Sequence, residues 1–132
     1  MIKIGKNLSK FSTYSYIPKN KYELKKIIYT RMYEEGLDCD LNDIDTSLIT
    51  DMSYLFYYLD FRGDISEWNV SHVLDMSLMF IGSLFNQDIS NWNIHKHCNT
   101  FYMFNNCKIA DKFIPTKQMH ARQFAGARLE FK

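Results

Sequence analysis

Marked as apolar and polar positions, residues 41–112 fall into columns spaced 24 residues apart: Leu41/Ile65/Ile89, Ile44/Trp68/Trp92, Thr46/Val70/Ile94, Ile49/Val73/His97, Met52/Met76/Thr100, Leu55/Met79/Met103, Phe56/Phe80/Phe104 and Phe61/Phe85/Ile109. The text Asp64-Ile65-Ser66-Glu67-Trp68-Asn69-Val70 returns as Asp88-Ile89-Ser90-Asn91-Trp92-Asn93-Ile94 without an insertion. The unit thus occurs three times, near 41–64, 65–88 and 89–112. A fixed period of this length marks stacked units, none of which can bury its apolar face alone. Within a unit, the apolar residues at 73, 76, 79 and 80 have helical spacing, and the turn-flanked stretch 85–92 is β-branched and aromatic like a short strand. The expected fold is α/β, with about three strand–turn–helix units.

The flanks predict caps. Residues 1–17 read as an arm with one edge strand over 11–17, which Pro18 interrupts. Asn20-Lys21-Tyr22-Glu23 has the form of a capping box and should start a helix that Gly36 ends. Leu24, Ile27, Ile28 and Met32 make its apolar stripe, with Lys21, Lys25, Lys26 and Arg31 on the other side. That stripe should cover the open end of the first unit. Beyond the third unit, Pro115 stops the preceding element, residues 118–124 suggest a helix with Met119 and Phe124 inward, and Leu129-Glu130-Phe131 alternates like a final strand. The chain reads as one domain, 1–132, divided into an arm and capping helix (1–40), three repeats (41–112) and a C-terminal cap (113–132).

The order Trp68-x-Val70-Ser71-x-Val73-x-x-Met76-x-x-Met79-Phe80, then Phe85-Asn86-x-Asp88-Ile89-Ser90-x-Trp92, resembles the BspA-like leucine-rich repeat family, also described as a mycoplasma-lipoprotein-type repeat domain of unknown function. The entry text Asp40-Leu41-Asn42-x-Ile44-Asp45-x-Ser47 and the capped helix before it look alike as well, so the resemblance covers about residues 18–110. It implies a short right-handed leucine-rich-repeat-like solenoid that binds proteins, often as a bacterial surface adhesin. The chain departs from that pattern in showing no export signal, in having only three repeats, and in placing His97 and Thr100 where the other units have core residues.

Composition narrows the function classes. Hydrophobic residues at 46% and aromatics at 16% exclude a disordered chain. The net charge of +1 predicts no general attraction to nucleic acid or membrane, yet its distribution is uneven. Residues 1–36 carry eight Lys and Arg against three Glu, net +5. Residues 37–93 carry ten Asp and Glu against Arg62 alone, net −9, and residues 94–132 carry seven Lys and Arg against two acids, again +5. An acidic body with basic ends suits a charged partner and permits head-to-tail self-association. Cys39, Cys98 and Cys107 are an odd number without a CxxC, which argues for a reducing compartment. With no signal peptide, lipobox or apolar run of membrane-spanning length, the chain reads as cytoplasmic. Usage heavy in Lys, Asn, Ile and Tyr fits an AT-rich genome, bacterial or phage.

The candidate chemistry is thin. His95-Lys96-His97-Cys98 with Cys107 and His120 offers zinc ligand types, but at no known zinc spacing, and buried cysteines acting as small apolar residues explain them as well. The columns Asp40/Asp64/Asp88 and Asp51/Asp75 could attract calcium, although turn and first-turn capping is the stronger explanation. Trp68 and Trp92 should stack in the core, and Met52, Met76, Met79 and Met103 should fill gaps between units. Lys25, Lys26 and Arg31 alternate with Tyr22, Tyr29 and Tyr33, a basic-aromatic face without a nucleic-acid readout motif. No Ser–His–Asp arrangement, glycine-rich phosphate loop or paired catalytic carboxylates emerge, so neither enzymatic activity nor a cofactor is expected. The expected role is binding another protein, with Arg62, Asp64, Glu67, Asn86, Asp88 and Asn91 as outward contact residues. Two alternatives accompany it: a small phage or mobile-element inhibitor of a host nucleic-acid-processing enzyme, and an adhesin-like surface fragment.

Overall fold

The computed structural model describes residues 14–128. Helix α1 spans Lys21–Glu35. Its first turn is capped by Asn20, whose Oδ1 accepts from the Glu23 amide at 3.0 Å. Glu23 reaches back one residue further than a capping box requires, its Oε1 accepting from the Lys19 amide at 3.2 Å. Gly36 closes the helix at φ +101, donating its amide to Met32 O. Leu24, Ile27 and Ile28 are buried as the stripe demands. Arg31, expected on the polar side, is buried as well, because the Asp43 carboxylate and the Asp40 carbonyl accept from it beneath the helix.

The 24-residue units stack, but they are not strand–turn–helix units. Among the described residues there is no strand longer than an isolated bridge, and the units contain no α-helix. The α/β leucine-rich-repeat-like solenoid is therefore overturned in favour of units built from successive turns. The stretch with helical spacing is tight turn over 77–82, broken by Leu78 at φ +56 and Gly82 at φ +68. The same two positions are left-handed in each unit, as Tyr54/Leu78/Tyr102 and Tyr58/Gly82/Asn106. A left-handed residue every four or so reverses the chain before an α-helical ladder can close, while still returning positions 76, 79 and 80 to the interior. Residues 85–92, expected as a strand, lack ladder partners and turn at Ser90–Asn91.

Backbone bonds between units replace the missing elements. The amides of Met52, Tyr54, Phe56 and Tyr58 donate to the carbonyls of Asp75, Ser77, Met79 and Ile81, and those of Met76, Leu78, Phe80 and Gly82 to Asn99, Phe101, Met103 and Asn105. Asp51, Asp75 and Asn99 join the same course as parallel bridges. Side chains copy this spacing, with Trp68 Nε1 donating to Leu41 O and Trp92 Nε1 to Ile65 O. Backbone amides and carbonyls that the turns leave unpaired within a unit are thus met by the neighbouring unit.

The core is a set of aromatic columns. Phe56, Phe80 and Phe104 stack at 5.3 and 5.7 Å, nearly parallel, and Phe61 stacks on Phe85 at 6.2 Å. Trp68 and Trp92 lie 6.4 Å apart with planes 6° apart, and Met52, Met76, Met79 and Met103 are fully buried between units. Backbone and ring approach so closely at Gly63 that a Cβ there would lie 1.8 Å from Cys39 O.

The third unit slips by one residue. Cys98, not His97, takes the buried place after Ile94, because the turn closes from the Cys98 amide to His95 O, where the second unit closes from Val73 to Val70 O. His97 is consequently exposed rather than at the core edge. The far end is covered by α2, Ala121–Ala127, somewhat later than predicted. Its end continues the inter-unit ladder, with Tyr102 and Phe104 amides donating to Gly126 O and Ala127 O. Thr100, a polar intruder in an apolar column, donates to Gln123 O at 2.9 Å. Met119 is buried as expected, whereas Phe124 faces solvent because Gln123 and Ala127 take the inward positions. At the near end Tyr16 pairs with Ile44 in parallel, so the expected edge strand reduces to a single bridge, its residues 11–13 lying outside the described part. The expected strand over 129–131 lies outside it as well.

Candidate docking surface

The acidic columns are built into turns. Asp40, Asp64 and Asp88 each accept, through Oδ1, from the amide two residues on, and Asp51 and Asp75 do the same for Ser53 and Ser77. Asn99 continues the second column with the Phe101 amide. These are Asx turns, the reason such residues favour reversals. One carboxylate oxygen anchors the turn, so the other can face solvent. Partial burial opposes the Asp64 charge, but hydrogen bonds from Asn42 and Ser66 outweigh it and hold the carboxyl below its usual range. Asp88 is likewise held low by the Ser90 hydroxyl and amide, against the opposing charge of Asp64. Both are anions at neutral pH.

Arg62, Asp64, Glu67, Asn86, Asp88 and Asn91 are all exposed, and three of them converge. Asp64, Asp88 and Asn91, with Ser66 and Gln87, line a recess of about 210 Å³. The other three serve the surrounding framework. Arg62 pairs with Asp60 at 3.2 Å and offers its carbonyl to Gln87 Nε2, and Asn86 Oδ1 accepts from the Ala110 amide. Glu67 borders a separate recess of about 560 Å³ together with Asp40, Asn42, Asp43, Glu35, Arg31 and Tyr14. Together the two recesses form an acidic edge along the stack.

A second exposed feature escaped the sequence reading. Tyr54, Tyr57 and Tyr58 are 44, 48 and 60% exposed, and their rings touch, 54 to 57 at 5.4 Å and 57 to 58 at 4.7 Å. Tyr58 lies across the neighbouring unit, where a Cβ on Gly82 would come within 2.3 Å of its ring. The available signal was the column itself: Tyr54/Leu78/Tyr102 and, in the first two units, Tyr57/Ile81 are aromatic or aliphatic at positions adjacent to, but outside, the core columns. The α1 face with Tyr22, Tyr29 and Tyr33 is also exposed, but the burial of Arg31 leaves it less basic than the sequence suggests.

The metal-ligand residue types are dispersed. Among the described residues no three His, Cys, Asp or Glu side chains are placed to hold a metal ion. The cysteines are buried and unpaired; burial pushes the Cys98 thiol up to about 12, with the nearby Asp75 charge adding to it. Burial likewise raises Cys39 and Cys107. Because the thiolate is the reactive form, native protein at pH 8 should show no rapidly reacting thiol with Ellman's reagent, and all three should react in guanidinium. A stoichiometric fast phase in the native state would contradict the burial.

No helix among the described residues is long and apolar enough to cross a membrane. Comparison with curated proteins and with solved structures found no match. The likeness to a mycoplasma-type family has firmer ground than its leucine-rich-repeat part: residues 24–126 match the family described as "Mycoplasma protein of unknown function, DUF285", and the chain belongs to that family.

Proposed function

We propose that the chain is a non-enzymatic protein-binding module whose stacked units serve as a rigid platform for contact residues. The observation that carries this reading is the convergence of Asp64, Asp88 and Asn91 on one recess, the two Asp carboxylates held ionised by hydrogen bonds that include turn amides. Exposed residues on stacked units can vary without disturbing the buried columns, the property that makes repeat surfaces good binding faces. The resemblance of the Trp68–Trp92 text to BspA-like proteins leans the same way. A second reading, an inhibitor occupying the basic groove of a nucleic-acid-processing enzyme, draws on the same acidic edge and the net −9 of residues 37–93.

The test compares proteins retained by the wild type from a lysate of the source organism with those retained by the double variant Asp64→Arg/Asp88→Arg. A partner held by the wild type and lost by the variant, with hydrogen-exchange protection of residues 62–67 and 86–91 in the reconstituted complex, supports the module. A nuclease or polymerase as that partner selects inhibition. Identical retention by both proteins removes the acidic edge from the binding site.

A further inference from the structure

We infer that His95 is an acid-sensitive latch for the C-terminal cap: its neutral imidazole holds the turn to which α2 is fastened, and protonation releases that hold. The device belongs to the far end of the stack and does not depend on what the chain binds. Three observations lead to it.

First, a titratable group stands where the other units have a permanent acceptor. Asp45 Oδ1 accepts from the Ser47 amide at 2.9 Å and Asn69 Oδ1 from the Ser71 amide at 3.1 Å. In the third unit His95 Nδ1 accepts from the His97 amide at 3.0 Å. Nδ1 is bonded to Cγ, as Oδ1 is in Asp and Asn, so the imidazole closes the same kind of turn. Asn accepts at any pH and Asp does so as the carboxylate, whereas imidazole accepts only while neutral. The imidazolium carries a proton on both nitrogens and has no acceptor left.

Second, the cap is tied to this turn through one buried side chain. Gln123 Nε2 lies 3.0 Å from His95 O, 3.3 Å from Lys96 O and 3.0 Å from Cys98 O, while its Oε1 accepts from the His120 amide at 2.9 Å. The turn therefore aims three carbonyls at a single donor group, and their convergence depends on its shape. Helix α2 has only seven residues, too few to hold together without tertiary contacts. Its last residues in turn receive the Tyr102 and Phe104 amides, so a loosened Gln123 also loosens the end of the inter-unit ladder.

Third, the surroundings offer the imidazolium no compensation. The ionisable groups of the elements that meet here are Lys96 and His97 in the turn, His120 and Arg122 at the start of α2, and His72 and Asp75 in the second unit. The His97 ring lies 5.6 Å from that of His95. Asp75 is the one acid of this set; its charge acts on Cys98, and among the described residues no ion pair joins a carboxylate to His95. Protonation thus takes from the folded state a hydrogen bond that the unfolded chain does not have. Stability falls as pH falls through the imidazole range, and the loss is greatest where the turn meets the cap.

The experiment compares the full chain with His95→Asn, which installs the pH-independent acceptor of the second unit, at about pH 7.5 and about pH 5.5. Hydrogen exchange, corrected for the intrinsic rate at each pH, is read at the Tyr102 and Phe104 amides. In the wild type their protection should fall roughly fivefold at the lower pH, about what one hydrogen bond is worth, and in His95→Asn it should hold. The acid-induced drop in melting temperature should be roughly 3 °C larger for the wild type than for the variant. His97→Asn, an exposed control, should respond to acid as the wild type does. An acid response of equal size in the wild type and His95→Asn overturns the inference, as does a wild type whose Tyr102 and Phe104 amides keep their protection. A response that His120→Asn abolishes and His95→Asn retains places the sensitive group at the start of α2 and overturns it too. One measurement needs no variant: at the higher pH the imidazole nitrogen shifts of wild-type His95 should show Nδ1 unprotonated, and a proton on Nδ1 would overturn the latch.

Discussion

Phe80→Ala should lower the stability of the protein by about 4 kcal/mol, the largest loss expected of any single truncation in the core. Phe80 is fully buried in the middle unit and touches rings on both sides: Phe56 at 5.3 Å, Phe104 at 5.7 Å, Phe85 at 4.6 Å and Trp92 at 6.4 Å. Truncation therefore removes one large transfer term and several ring–ring contacts together. The cavity left behind has little means of collapse, because the Phe80 amide is bonded to Met103 O and the Met79 carbonyl accepts from Phe56, fixing the spacing of the units. In a stack where each unit contacts only its neighbours, a defect in the middle also weakens both junctions. Urea unfolding followed by far-ultraviolet dichroism provides the measurement, with Tyr57→Ala as an exposed control expected to change stability by about 0.5 kcal/mol or less. A loss below about 1.5 kcal/mol for Phe80→Ala would show that the aromatic column is loosely packed and that the units depend mainly on their backbone ladders.

The sequence made the period and the buried columns legible because stacking forces equivalent residues to repeat an environment. Phe56/Phe80/Phe104 and Trp68/Trp92 could be assigned to the core on spacing alone, and the Asp columns to turns on side-chain chemistry. Local conformation was harder to read. Apolar residues at 73, 76, 79 and 80 satisfy a helical period, and a chain reversing through a left-handed Leu78 brings those same residues inward. Periodicity records which side chains point inward, not which hydrogen bonds close, and only a Gly or Asn would have flagged the positive φ that Tyr54 and Leu78 conceal. The slip at His97 and Cys98 was hidden for a related reason. Alignment without gaps hands the core position to His97, while the structure moves the turn by one residue to bury the thiol and release the imidazole, the cheaper group to hydrate.

The six residues expected to make contacts were recognisable as outward because they alternate with core columns, but the convergence of three of them was not. Asp64 and Asp88 meet through stacking, and Asn91 joins them through a turn that the strand assignment had straightened. The exposed Tyr54, Tyr57 and Tyr58 were missed because their positions lie outside the core columns on which the reading rests. A turn-built unit has more outward positions than a strand and helix of equal length, so part of the aromatic content remains at the surface.

Arg31→Ala should cost about 3 kcal/mol, the second large effect, and its origin is electrostatic rather than steric. The guanidinium is buried under α1, donates from Nη1 to both Asp43 oxygens at 2.8 and 3.0 Å, and from Nη2 to Asp40 O at 3.0 Å. Glu35 pairs with it one helical turn on, and the Tyr16 ring lies 5.5 Å from its carbon centre. Burial by itself would lower the pKa of this side chain; the hydrogen bonds it donates to Glu35 and Asp43 more than reverse the effect, so the group stays charged. One residue thus fastens the capping helix, the arm and the first unit together. Alanine would leave Asp43, mostly buried, without its cation and Asp40 O without its donor. Glu35 is about half exposed and can turn to water, which places the estimate at the low end of the range for breaking buried pairs. Arg31→Met/Asp43→Asn should recover part of the loss, since it removes the stranded charge while retaining the apolar stem, and a double-mutant cycle should return a coupling of roughly 1–3 kcal/mol. A single-variant loss under about 1 kcal/mol, or additive behaviour in the cycle, would mean that the network behaves as a solvated surface pair. In that event the cap would be held by Leu24, Ile27 and Ile28 alone.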